Sequence, residues 1–140
     1  MVDIEVIKQA NLIRELSSQA AADWLMSTYP VGAPDYGAAF NLLTRRSWKR
    51  RDQIRLAEHY LARLPFAAAK PYRVFLSFMA ADVFVAQLRK FLPSDESKAE
   101  LLRYHLEVVM REGARSDGDR ALFTELLAEL GSARRSDDLS

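Results

Sequence analysis

The amino-acid sequence predicts an all-α protein, a bundle of five to six helices. Apolar residues recur at intervals of three and four over most of the chain, whereas the alternation typical of strands is nearly absent. Prolines and glycines fall between the periodic segments, at places where they end or begin helices. With 140 residues, 49% of them hydrophobic, the chain is long enough to bury one core. We therefore expect a single helical domain over residues 1–131 and a flexible polar tail over residues 132–140.

The N-terminal third of the chain predicts two helices. The first covers residues 3–29, because its apolar positions follow helical spacing with one gap at Ser17. Pro30 and Gly32 end this helix. A second helix is expected over residues 34–44, since it opens on a proline, which loses no hydrogen bond in the first turn.

The middle of the chain predicts two further helices. The third covers residues 47–64 and stops before Pro65, because proline disfavours helical geometry in the residue that precedes it. The fourth covers residues 71–92 and lies between two prolines. Its sequence is the most apolar of the chain, and its few polar residues do not share one face. We therefore expect it to be the central helix of the bundle.

Two capping patterns predict the last two helices. Ser97 with Glu100 forms a capping box for a fifth helix that ends at Gly113. Ser116 with Asp119 forms a looser acidic version for a sixth helix. This sixth helix is expected to end at the glycine of position 131.

The composition excludes several kinds of chemistry. Without cysteine the chain has no disulfide, no thiolate nucleophile and no cysteine-based metal site. The two histidines, His59 and His105, have no partner at metal-binding spacing. The five glycines do not cluster as a phosphate-binding or dinucleotide-binding loop requires. We therefore expect neither a metal nor a cofactor.

The most apolar run does not have the character of a membrane span. It covers residues 74–88, contains Asp82, and falls short of the ~20 apolar residues that a span requires. The N-terminal sequence also lacks the basic region and apolar block of a secretory signal. We expect a cytoplasmic protein of bacterial type that makes no membrane contact.

The strongest local signal is a basic segment, residues 45–55. Five of its first seven residues are cationic, and Arg55 follows one helical turn later. On a helix that starts at Trp48, the residues Trp48, Asp52, Arg55 and His59 share an outward stripe. This phase predicts an exposed tryptophan among cations, a combination that is common in binding hot spots. The predicted partner-binding residues are Arg45, Arg46, Trp48, Arg51, Arg55 and His59.

The charge pattern leads to three interpretations of this segment. The net charge is only +1, but residues 40–73 carry a local balance of +7 and residues 94–130 one of −4. The leading hypothesis is a protein-binding module without catalytic activity, of inhibitor, immunity, antitoxin or adaptor type, whose partner has an acidic surface. The alternative is a nucleic-acid-binding regulator, with phosphates on the arginines and a base stacked on Trp48. In the third interpretation, Trp48 is part of the core and the arginines form a solvated face.

An enzyme is a further hypothesis, and it depends on convergence in three dimensions. His105 would be a general base oriented by a carboxylate, with Asp82 and Glu112 as the candidate acids. Otherwise His105 is a hydrogen-bonded core residue, and Asp82 is stabilised by an arginine or a helix N-terminus. The sequence leaves open whether the three residues meet in a pocket. It also leaves open the partner's identity, the oligomeric state and the pathway.

Overall fold

The structure, a computed structural model, describes residues 4–139, with side chains for residues 4–131. Over these residues the backbone forms eight α-helices and no β-strand, which confirms the all-α class, whereas the predicted number of five to six helices is too low. The chain divides into two compact units, with the boundary between Tyr60 and Leu61. The expectation of one domain over residues 1–131 stays a prediction. The helices are α1 (Ile4–Glu15), α2 (Ser18–Thr28), α3 (Ala39–Leu43), α4 (Arg50–Leu61), α5 (Lys70–Phe78), α6 (Ala81–Arg89), α7 (Glu96–Gly113) and α8 (Asp117–Leu139).

In the first unit, the predicted helix over residues 3–29 is two helices. Ser17 has extended backbone geometry, and its side-chain oxygen accepts a hydrogen bond of 3.1 Å from the N–H of Ala20. A serine in this position caps α2, and the chain therefore turns between α1 and α2. The gap in the apolar pattern at Ser17 marks the turn. Ile13 of α1 and Leu25 of α2 are both fully buried.

The next two helices of this unit are shorter than the sequence predicts. A 3₁₀ turn over Tyr36–Ala38 leads into the five-residue α3. Helix α4 begins at Arg50, three residues later than expected. It buries Leu56 and Tyr60, and the Tyr60 hydroxyl donates a hydrogen bond of 2.9 Å to the carbonyl oxygen of Tyr29.

In the second unit, the predicted central helix over residues 71–92 is wrong as one helix. Helix α5 ends before Met79, and α6 begins after Ala80, because both residues have extended backbone geometry. The guanidinium of Arg115 donates to the carbonyl oxygens of Leu76, at 3.1 Å, and Met79, at 3.5 Å. These bonds satisfy carbonyls at the end of α5 that a continuous helix would satisfy internally.

Asp82 is exposed in the first turn of α6, and its carboxylate accepts a hydrogen bond of 2.9 Å from the N–H of Val83. A carboxylate is favourable at a helix N-terminus. The expectation that this group is stabilised by a helix N-terminus is therefore confirmed. The assumption that it interrupts a buried helix is wrong.

One of the two capping signals predicted for the last two helices agrees with the structure. The capping box of Ser97 and Glu100 is wrong, because Ser97 lies inside α7 and the cap is Asp95, whose carboxylate accepts a hydrogen bond of 3.0 Å from the N–H of Lys98. The helix ends at Gly113 as predicted. The Ser116 hydroxyl accepts a hydrogen bond of 3.1 Å from the N–H of Asp119, which confirms the second cap. Helix α8 continues past Gly131 to Leu139, so the end expected at that glycine is wrong.

Helix α7 is the element around which the second unit is organised. It packs against α5 and α8, while α6 packs against α5 and α8. Gly113 permits a close approach between α7 and α5, because an added Cβ would overlap the side chain of Leu76. The predicted flexible tail over residues 132–140 lies outside the residues whose side chains are described. Among the described residues, none of the helices combines the length and apolarity that crossing a bilayer requires.

Candidate functional site in the basic segment

Trp48 lies in the core of the first unit, so the prediction that it is exposed is wrong. Only 6% of its surface is accessible, and its Nε1–H donates a hydrogen bond of 2.9 Å to the carbonyl oxygen of Leu43. Its own carbonyl oxygen accepts a bond of 2.9 Å from Nε2 of Gln53. The helical stripe was drawn from Trp48, but α4 begins two residues later, at Arg50. The tryptophan therefore belongs to the turn before the helix.

Arg46 also has a structural role. Its Nη1 donates hydrogen bonds to the carbonyl oxygens of Ile13, at 2.6 Å, and Leu16, at 2.8 Å. These carbonyls lie at the C-terminal end of α1, where no intrahelical donor reaches them. The guanidinium carbon lies 4.9 Å from the centre of the Trp48 ring, within the range of a cation–π interaction. Arg46 thus connects the end of α1 to the tryptophan.

Asp52 is the centre of a buried polar network. It is 3% exposed, and its carboxylate accepts hydrogen bonds from the Ser18 hydroxyl, at 2.6 Å, and Nη1 of Arg55, at 3.0 Å. Arg55 also forms an ion pair with Asp23. Burial raises the pKa of Asp52, but the two hydrogen bonds and the charges of Arg55 and Arg51 outweigh it and lower the pKa below its usual value. Arg55 is thereby committed to two carboxylates.

Replacing Asp52 with asparagine is expected to lower the free energy of unfolding by about 1–3 kcal/mol at pH 7, because Arg55 loses a buried charged acceptor. The folded-state pKa of Asp52 is depressed, so its contribution is present above the unfolded-state pKa of about 4 and is lost as pH falls through the folded value. Urea denaturation at several pH values measures this pH dependence of the free energy of unfolding. A difference between wild type and Asp52→Asn that persists unchanged at the lowest pH would contradict the assignment.

His59 is half-buried on α4 and turned towards the loop after α2. Its Nε2 accepts a hydrogen bond of 3.3 Å from the N–H of Val31, and its ring meets that of Tyr60 edge to face. Burial lowers the pKa of His59, which favours the neutral imidazole that this bond requires. The residue therefore contributes no cation to a binding surface near neutral pH.

Four cationic side chains of the segment remain exposed. They form what we call the basic surface, and they are Arg45, Lys49, Arg50 and Arg51. Within the described part of the chain, none of the four forms an ion pair with a carboxylate. Lys49 and Arg51 also line a shallow cavity of about 200 Å³ at the start of α2.

Lys49 and Arg50 were absent from the predicted site. The sequence does contain a signal for them, because Asp52 is an acidic residue of the type favoured in the first turn of a helix. If Asp52 is taken as the third residue of the helix, the helix begins at Arg50. Trp48 then precedes the helix and cannot be the first residue of the predicted stripe.

Four arginines of the second unit differ from those of the basic surface in their pairing. Each of four exposed or half-exposed arginines there lies within 3.2 Å of a carboxylate, an arrangement that neutralises much of the local charge. The pairs are Arg73–Glu112, Arg89–Glu129, Arg103–Glu107 and Arg120–Asp117. The charges of these four arginines are thus compensated locally by carboxylates.

The structure does not bring together the three residues of the enzyme hypothesis. Glu112 pairs with Arg73, and Asp82 accepts its bond from the neighbouring backbone. The ring of His105 stacks on that of Tyr72, with 6.5 Å between centroids. Among the described residues, no group of three or more histidines and carboxylates is placed to hold a metal ion.

Comparison with known proteins gives no assignment for this chain. It matches no protein-family model, no curated protein and no solved structure. The function is therefore inferred from the basic surface itself.

Proposed function

We propose that this protein is a protein-binding module that recognises an acidic segment of its partner through the basic surface. The observation that carries the proposal is the group of four exposed cations within seven residues, none of them paired with a carboxylate in the described part of the chain. Such a group attracts an anionic partner and accelerates the encounter with it. The module acts by binding, as inhibitor, immunity, antitoxin and adaptor proteins do.

The basic surface is attached to a fixed backbone. The side chain of Arg14 donates a hydrogen bond of 2.9 Å to the carbonyl oxygen of Arg45, and the N–H of Lys49 donates one of 3.0 Å to Ser18. Trp48, which lies between Arg45 and Lys49 in the sequence, is buried and anchors the same turn. A partner that binds here pays little for ordering the backbone, so more of the interaction energy appears as affinity.

Burial of Trp48 removes the aromatic contact that both hypotheses used, and it weakens the nucleic-acid alternative more than the protein hypothesis. A single-stranded nucleic acid binds largely through bases stacked on aromatic rings, and the ring of Trp48 is inaccessible. Duplex binding relies on release of counterions, which grows with the number of phosphates contacted. Four cations contact about four phosphates, fewer than the roughly 6–10 of strongly salt-dependent DNA-binding proteins. A short acidic segment matches a surface of this size.

Substituting three arginines of the basic surface tests the proposal. We expect Arg45→Gln, Arg50→Gln and Arg51→Gln together to weaken binding of a fluorescein-labelled glutamate-rich peptide about tenfold, since three surface charge pairs contribute about 0.2–1 kcal/mol each. Fluorescence anisotropy with the full chain at low and physiological salt measures the affinity. The free energy of unfolding should change by less than ~0.5 kcal/mol, because these side chains are exposed.

The matched control is a second triple variant, Arg73→Gln, Arg89→Gln and Arg120→Gln, which removes the same charge from arginines already paired with carboxylates. It should bind the peptide as the wild type does. Equal losses in both variants would show that net charge alone governs binding and would contradict the proposal. Tighter binding of a DNA duplex than of the peptide, lost in the first variant only, would favour the nucleic-acid alternative instead.

A further inference from the structure

The imidazole of His59 connects α4 to the loop that follows α2. This α2–α3 loop covers residues 29–35, between the end of α2 and the 3₁₀ turn before α3. Nε2 of His59 accepts a hydrogen bond of 3.3 Å from the N–H of Val31, 28 residues earlier in the chain. A neutral imidazole accepts at Nε2 only when its proton is on Nδ1. The contact between loop and helix therefore depends on the protonation state of one ring.

Two tyrosines anchor the ends of the α2–α3 loop through contacts that acid does not break. At its start, the hydroxyl of Tyr60 donates a hydrogen bond of 2.9 Å to the carbonyl oxygen of the buried Tyr29. Burial raises the pKa of Tyr60, so this hydroxyl keeps its proton in neutral and acidic solution. Just after the loop, the ring of Tyr36 lies edge-on against that of the buried Phe40. Any movement of the loop is therefore confined to residues 30–35, which lie between these anchors.

Protonation reverses the role of Nε2. An imidazolium carries an N–H group on each nitrogen and has no acceptor. After protonation, the N–H at Nε2 of His59 would point at the N–H of Val31, and the two donors would repel one another. Movement of residues 30–35 away from α4 lets water accept hydrogen bonds from both groups. The segment keeps its own turn as it moves, because the N–H of Ala33 donates a hydrogen bond of 2.9 Å to the carbonyl oxygen of Pro30.

Burial, rather than a neighbouring charge, determines where His59 titrates. The titratable groups around it are Arg55, Glu58, Tyr60 and Arg63 on or just after α4, and Asp23, Tyr29, Asp35 and Tyr36 on α2, in the loop and in the 3₁₀ turn. In the described part of the chain none of these groups shifts the pKa of His59, which burial lowers. Arg55, one turn earlier on α4, is bonded to Asp52 and Asp23. The folded ring is therefore neutral at pH 7 and takes up its proton below the ordinary histidine pKa of about 6.5.

We propose that His59 is an acid-sensitive latch, which holds residues 30–35 against α4 when it is neutral and releases them when it is protonated. The unfolded chain takes up the proton first, near a pH of about 6.5. The stabilising contribution of neutral His59 is therefore complete above that pH and declines as pH falls towards the folded-state pKa. Below the folded-state pKa the ring is protonated in the folded protein as well, and the loop opens. This inference does not depend on the function proposed for the basic surface.

A pH titration of the full, isotope-labelled chain by NMR tests the latch. Between about pH 7.5 and about pH 4.5, the backbone amide signal of Val31 should shift with the same midpoint as the imidazole signals of His59, below about pH 6.5. Hydrogen exchange of this amide, corrected for the intrinsic pH dependence of exchange, should become about tenfold less protected once His59 is protonated. The amide of Ala21, which bonds to the carbonyl oxygen of Ser17 at 2.8 Å, should keep its protection.

The second histidine of the chain supplies the matched control. His59→Gln keeps a neutral hydrogen-bond acceptor but cannot take up a proton, so the Val31 signal should no longer titrate. His105→Gln removes the other imidazole and should leave the titration of Val31 as it is in the wild type.

Three outcomes would overturn the proposal, and two of them are read from the wild type alone, whether or not the variants fold. The first is titration of His59 without a shift or a loss of protection at Val31. The second is an imidazole of His59 that stays neutral down to about pH 4.5. The third is a pH dependence of the Val31 signal that survives unchanged in His59→Gln, because it would assign the movement to another group.

Discussion

Replacing Trp48 with alanine is expected to lower the free energy of unfolding by about 3–5 kcal/mol. The substitution leaves a cavity where a large ring is 6% exposed, and it deprives the carbonyl oxygen of Leu43 of its hydrogen-bond donor. It also removes the ring on which the guanidinium of Arg46 lies, although that guanidinium continues to cap α1. Chemical denaturation followed by circular dichroism gives the change in free energy.

Two comparisons separate the contributions of Trp48. Trp48→Phe keeps an aromatic ring but loses the Nε1–H donor, so its effect should be smaller, about 1–3 kcal/mol. Arg51→Ala, three residues along the chain at an exposed position, should change stability by less than ~0.5 kcal/mol. The folded fraction of Trp48→Phe should bind the glutamate-rich peptide as the wild type does. A Trp48→Ala variant of unchanged stability but impaired peptide binding would instead place Trp48 on the binding surface.

Two helix ends that depend on local signals were predicted correctly from the sequence. Ser116 and Asp119 form their cap within one turn of chain, and Gly113 ends α7 where the periodic pattern stops. The break between α5 and α6 has no glycine or proline to mark it. It is stabilised by Arg115, whose guanidinium donates to carbonyls 36 and 39 residues earlier in the chain. Periodicity within a segment contains no information about such a distant donor.

The candidate site shows the same division between local and distant interactions. Its cationic character follows directly from the composition of residues 45–55. The composition does not show which arginines have structural contacts. Arg46 bonds to the end of α1 and Arg55 pairs with Asp23, and both of these contacts lie about 30 residues away in sequence. Helix α4 also begins three residues later than predicted, so Trp48 precedes the helix and lies in the core instead of on the predicted outer face. The basic surface therefore consists of the cations that tertiary contacts have not engaged.

The break between α5 and α6 leads to the second large effect, a difference between two phenylalanines that one continuous helix would make equivalent. Phe84 on α6 is fully buried, whereas Phe78, the last residue of α5, is half-buried. Phe84→Ala should lower the free energy of unfolding by about 3–5 kcal/mol, since its cavity is enclosed on all sides. Phe78→Ala should lower the free energy of unfolding by only about 1–2 kcal/mol, because solvent already reaches part of the site. The aromatic contact described for the Phe78 ring is with Phe75.

Urea denaturation of the two variants measures this difference, provided that their free energy of unfolding falls with urea concentration at the same slope as that of the wild type. Equal slopes are needed because a change in slope would indicate an altered unfolded state or a loss of two-state behaviour rather than a local cavity. Phe84→Leu refines the test, since a branched side chain refills part of the enclosed volume and should recover roughly half of the lost stability. At position 78 the same substitution should recover little, because the alanine variant leaves an open site that solvent already reaches. Equal losses for Phe78→Ala and Phe84→Ala would indicate a continuous buried helix over residues 71–92 and would contradict the break at Met79 and Ala80.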